Sequence, residues 1–233
     1  MSVVLRRLSL ALSFAVAACP LAAPAAELTA PEMRWLQGIA PVVQHARQQL
    51  GLPLDVIVQP QDAPGAAPLA LGFVDGRCKL VLSMRGNAEA ERPVESLPPE
   101  LRGPALELMA AHELGHCRRY LDGAWHGMPA GFVAAAAPAR LSPELQQAWL
   151  DMRTTRREEA YGDLVGLAWT RERHASLYGP LHAWLVQQRE AEGLPGSHHD
   201  TLAWLRLAAT PAALAGSSLF DGAERVWRQG LGD

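Results

Sequence analysis

Positive charge is scarce in this chain. Its 233 residues carry 21 Lys and Arg against 24 Asp and Glu, a formal net charge of −3. That balance lacks the basic footprint of a nucleic-acid-binding domain, and no nucleic acid is expected as a partner. All but one of the basic residues are arginine; the exception is Lys79, and no physical reason for the bias is visible. Beyond the N-terminus no apolar run approaches the roughly 20 residues that a transmembrane helix needs, so no integral span is expected. No internal repeat is present, which removes solenoid architectures. A composition of 49% hydrophobic and 19% charged residues removes disorder and describes a globular chain long enough for a sizeable core. Cysteine occurs only three times, at Cys19, Cys78 and Cys117.

What is there begins with a leader. MSVVLRR is a short basic segment, LSLALSFAVAA an apolar run, and CPLAAPAAE a set of small residues. This is the pattern of a secretory signal peptide over 1–26, with Ala23-Pro24-Ala25 as a cleavage site. Cleavage there gives a soluble periplasmic or secreted protein of 27–233, read as one domain. The alternative is a lipobox at Val16-Ala17-Ala18-Cys19, which would anchor a lipoprotein through Cys19; Pro20 fits that reading poorly. Either way Cys78 and Cys117 remain, an even number in an oxidising compartment. The expectation is a Cys78–Cys117 disulfide; two buried free thiols are the alternative.

The element pattern is α+β and predominantly helical. Residues 31–51 read as a helix that Pro41 would kink, and 54–60 as a short strand. PLALGFVDGRCKLVLS over 68–83 reads as a hairpin, because Asp75-Gly76 supplies the positive φ angles of a tight turn. The segment 86–100 is polar and Pro-rich, a loop. Helices are expected over about 100–122, 143–174, 176–192, 200–208 and 219–229. Thus 27–123 holds a small sheet and one long helix, and 124–233 is helical. The Gly-, Ala- and Pro-rich segment 124–142 is expected to form a mobile flap.

The chemistry sits in HELGH. On a helix, His112 and His116 share one face at i and i+4, so both imidazoles aim at one point. Zinc accepts imidazole nitrogen, and a catalytic site keeps three protein ligands and a water. Glu113 can reach that water as general base. The competing reading is a surface helix with two histidines, but Leu108, Ala110, Ala111 and Leu114 make this helix apolar, and buried histidines need partners. A third ligand comes from REEAYGDLVGLAW. Glu159 can ligate the metal while Asp163, one turn on, orients a ligating histidine from outside. Glu158 is a rival ligand about 100° around the helix, and Asp122 an alternative in the position of a third zincin histidine.

HELGH followed by E-A-Y-G-D resembles the gluzincins, the zinc metallopeptidases that include thermolysin, and most of all their compact minimal-domain members. The resemblance covers about a third of the chain. It implies a zincin-like fold and one catalytic Zn2+ held by His112, His116 and Glu159. It implies Glu113 as base, Asp163 behind a ligand, and a peptide or protein substrate. GSHHDTLAWLRLA resembles the Ser-His-Pro segment of these enzymes and implies His198 as a group stabilising the oxyanion, although His199 stands where proline is expected. In this class a sheet edge binds the substrate backbone by strand addition, and the candidate strand is Lys79, Leu80, Val81 and Leu82. A non-catalytic binding or scaffold module of the cell envelope is the alternative function. Glu113 and the lack of a fourth protein ligand speak for catalysis.

Overall fold

The computed structural model describes residues 27–60, 67–134, 136–191 and 194–232. Residues 1–26, read as a leader and including Cys19, lie outside the described residues. Helix α1 (Ala30–Gln48) starts on a capping box: Thr29 Oγ1 accepts the Glu32 N–H, and the Glu32 carboxylate accepts the Thr29 N–H at 2.7 Å. Its buried face, Trp35, Ile39, Val42, Val43 and Ala46, follows the helical period. The helix runs on through Pro41 without a break in the assignment.

Strands β1 (Leu54–Pro60), β2 (Leu69–Val74) and β3 (Arg77–Arg85) form one sheet in the order β1-β3-β2. Asp75 and Gly76 turn the β2–β3 hairpin with φ of 52° and 70°, the positive pair that the dipeptide announced. β1 runs parallel to β3, with Leu54 opposite Cys78. β3 is therefore the central strand, hydrogen-bonded on both sides. This corrects the expectation that Lys79, Leu80, Val81 and Leu82 form an open edge: their backbone groups are used by β1 and β2, and Lys79 pairs with Asp55 at 2.6 Å. Among the described residues, β2 is the strand with an unpaired edge beside the cleft described below.

A one-turn helix, α2 (Arg92–Glu95), interrupts the segment read as loop. Then α3 (Pro99–Leu121) passes beneath the sheet, and α4 (Pro143–Arg173), capped by Ser142, packs along it. Helices α5 (Tyr178–Ala191), α6 (Leu202–Leu207) and α7 (Leu219–Gln229) pack on α4. Trp169, Tyr178, Leu181, Leu205 and Trp227 fill that C-terminal core. The buried Cys78–Cys117 disulfide joins the central strand to α3, with Cα atoms 5.6 Å apart. Disulfides persist in oxidising compartments. Among the described residues, no helix is long and apolar enough to cross a membrane.

Candidate metal centre

The close approach of α3 and α4 builds the site, and glycine permits it. A Cβ on Gly162 would stand 2.8 Å from the His112 ring, and one on Gly166 would stand 2.8 Å from the Leu108 carbonyl oxygen. The carboxylate of α4 can therefore reach across to the histidines of α3. His112 Nε2 lies 2.9 Å from His116 Nε2 and 3.3 Å from Glu159 Oε2, and His116 Nε2 lies 3.6 Å from Glu159 Oε1. A tetrahedral ion with bonds of about 2.0–2.1 Å spaces its ligand atoms about 3.3 Å apart, so this triangle fits one. The two histidines are buried and Glu159 is partly so; together the three residues can hold a metal ion.

Charge supports the same conclusion. Glu113, Glu159 and Asp163 bring three carboxylates around the triangle, and Arg189 brings one guanidinium. Fully ionised, they leave two negative charges in a largely buried site, the charge that a divalent cation balances. Without a cation, protons take its place. Burial opposes the charge on His112, but hydrogen bonds to Asp163 and Glu159 outweigh it and raise the ring to about 10. Burial, helped by the His112 charge, lowers His116 to about 3. Metal and proton thus compete for the same nitrogens.

Asp163 is fully buried and saturated. Its Oδ1 accepts from His112 Nδ1 at 2.9 Å and from Arg189 Nη2 at 2.6 Å. Its Oδ2 accepts from Arg189 Nε at 2.9 Å and from the Thr201 hydroxyl at 2.6 Å. This network fixes the ring and tautomer of His112. Sequence reading missed Arg189 and Thr201; neither carries a motif. Thr201 is the N-cap residue of α6, and its hydroxyl donates to Asp163 in place of capping the helix. Asp200 closes the preceding turn by accepting the Gly196 N–H.

Glu113 lies outside the ligand triangle, half-buried in the same cleft. Burial is the main cause that pushes its carboxyl up to about 7, against the pull of His112 and a backbone hydrogen bond from Leu71. The cleft, about 730 Å³, runs beside β2 and is walled by Leu108, Met109, Trp184 and Leu185. Pro68 O accepts the Ser83 N–H, so the residues of β2 that pair with β3 alternate from Pro68. Leu69, Leu71 and Phe73 consequently turn their backbone groups to the open edge.

His198 and His199 both line the cleft, their rings 4.1 Å apart. His199 Nε2 stands 3.5 Å from Glu159 Oε2, while His198 is the more exposed of the two. The rival ligands stand elsewhere. Glu158 is buried in a bidentate pair with Arg119 at 2.9 Å, and Asp122 pairs with Arg118 at the exposed end of α3. Residues 125–127, at the start of the segment read as a flap, are tied to this pair. Glu158 accepts the His126 N–H, and Arg119 donates to the Gly127 carbonyl.

Gly162→Ala is expected to weaken metal binding by about 10- to 100-fold, as loss of a group orienting a ligand does. The added methyl meets the His112 ring and displaces it from Asp163. Competition with a chromogenic chelator measures this; an affinity equal to wild type would show that the ring has room to give.

No family model, curated protein or solved structure matches the chain.

Proposed function

We propose that this protein is an exported zinc-dependent metallopeptidase that hydrolyses peptide bonds in the bacterial cell envelope or outside the cell. The observation that supports this reading is the convergence in one cleft of three ligand atoms, a separate carboxylate and an open strand edge. His112, His116 and Glu159 would hold the ion, and the borderline character of imidazole with carboxylate suits zinc. When bound, zinc lowers the pKa of a water and polarises a carbonyl.

The chain's own residues do the rest. Glu113 takes a proton from the attacking water, whose hydroxyl joins the carbonyl carbon. The C–N bond then breaks, and Glu113 returns the proton to the departing amine. A carboxylate standing in the cleft outside the ligand triangle is suited to both transfers. His198, or His199 beside it, would offer an N–H to the developing oxyanion from the cleft wall. The edge of β2 takes an extended peptide as a further strand, and the apolar cleft wall accepts its side chains. The test is a mixed peptide library exposed to zinc-loaded protein, with products identified by mass spectrometry. Cleavage that a chelator stops and zinc restores is the expected result. Stoichiometric zinc with no cleavage of any peptide bond would remove the reading.

A further inference from the structure

The cleft stops short on one side of the metal centre. Along the strand edge its lining runs from Ala67 to Leu71, and Gly72, Phe73 and Val74, next on β2, take no part in it. Glu113 accepts a backbone hydrogen bond from Leu71, so on β2 the lining stops level with that carboxylate. Beyond it stands a row of rings. Phe73 stacks on Tyr120 with centroids 5.0 Å apart, Tyr120 on Trp125 at 4.0 Å, and Trp125 on His126 at 5.0 Å. The successive planes differ by 6°, 15° and 23°, so the rings lie face to face. The row starts on the edge strand, passes the C-terminal end of α3 and ends in the loop after it, and Tyr120 and Trp125 line the cleft. The Trp125 indole stands perpendicular to the His116 ring, their centroids 5.3 Å apart. The row therefore begins directly beside a residue of the ligand triangle.

We propose that this row is a wall that closes the cleft on one side of the scissile bond, so that the substrate is a peptide with a free end there and is trimmed from that end rather than cut internally. An extended chain advances about 3.3–3.6 Å per residue, so a wall one ring away from His116 leaves room for about two residues on that side. The size of the cleft agrees. Its volume of about 730 Å³ falls in the range of roughly 300–1,000 Å³ that encloses small ligands, not that of a groove for a long polypeptide. A chain that had to continue past the wall would clash with Tyr120 and Trp125, and such a clash discriminates between substrates as effectively as an added contact. This inference rests on the metallopeptidase reading and narrows its substrate class.

The wall is anchored to both helices of the metal centre. Tyr120 and Trp125 each have a stacked neighbour on either side in the row, an arrangement that favours the parallel, offset packing of aromatic rings. The loop end is clamped: His126 has a φ of 62°, its N–H donates to Glu158 of α4, and Arg119 of α3 donates to the Gly127 carbonyl. A left-handed non-glycine residue persists where its surroundings over-determine it. Arg119 is itself buried against Trp227 of α7 at 4.5 Å and Tyr161 of α4 at 5.5 Å. The buried pair of Glu158 and Arg119, which takes no part in holding the ion, thus acquires a purpose in holding the wall.

The test sets linear peptides of about ten residues, which extend to roughly 33 Å, against the same peptides cyclised head to tail. Both are incubated with the zinc-loaded mature protein, and the products are identified by mass spectrometry. The linear forms are expected to shorten stepwise from one end, at least about 10-fold faster than the rings open. Trp125→Ala, which breaks the wall, is expected to open the rings at least about 10-fold faster than wild type does. Binding gives a second readout. By calorimetry, Glu113→Gln should hold the fastest-trimmed linear peptide at least about 10-fold more tightly than its cyclic form. Ring opening or internal cutting by wild type at the rate of end trimming would overturn the inference and leave the metallopeptidase reading standing. No cleavage of either form would overturn both. The wild-type comparison decides the matter even if Trp125→Ala does not fold.

Discussion

Glu113→Gln is expected to lower the peptide-hydrolysis rate by about 10³-fold, within the range that positioned general bases supply. The amide keeps the shape of the carboxylate and its place in the cleft but cannot take the water's proton. Because Glu113 stands outside the triangle of His112, His116 and Glu159, the variant should keep its metal in full. The informative comparison is therefore between two readouts of one preparation, metal per chain and product per minute. Full metal with lost turnover is the signature of a base. Metal lost together with turnover would make Glu113 a ligand or a structural support. Retention of turnover within about 10-fold would remove Glu113 from the chemistry and the proposed mechanism with it.

Removal of the disulfide should have the largest effect on stability. Cys78 and Cys117 close a loop of sequence separation 39, and the chain-entropy argument assigns such a loop about 4 kcal/mol. Both sulfurs are buried between β3 and α3, so cutting the bond also frees the central strand from the helix that carries both histidines. Cys78→Ala combined with Cys117→Ala is expected to cost about 3–4 kcal/mol in urea unfolding of the metal-free protein. Reduction of the wild type should approach the same value. A loss below about 1 kcal/mol would mean that the core alone holds the sheet on α3.

The parts of this structure that were legible in the sequence are those written in local periodicity. The spacing of His112 and His116, and of Glu159 and Asp163, fixes which side chains share a helix face. Asp75-Gly76 specifies its own turn. Ser142, as N-cap of α4, is a local signal too. The partners across elements were not legible. Which strand lies at the edge depends on β1 pairing parallel to β3, a choice set by how the whole sheet covers α3. The strand read as a sheet edge is therefore the central one. Glu158 and Glu159 are chemically alike and point about 100° apart on α4, and only the packing of the neighbouring helices shows that the first meets Arg119 and the second the two histidines. Arg189, Thr201 and Trp125 reach the centre from later helices and a loop, where no spacing rule announces them. Gly162 was visible as a glycine, but its function exists only against the His112 ring.

The most direct test of the central claim is the metal content of the purified mature protein. Elemental mass spectrometry would compare wild type with Glu159→Ala and Asp122→Ala. The account expects about one zinc per chain in wild type, loss with Glu159→Ala, and retention with Asp122→Ala. No zinc in wild type after reconstitution, or retention by Glu159→Ala with loss by Asp122→Ala, would contradict it.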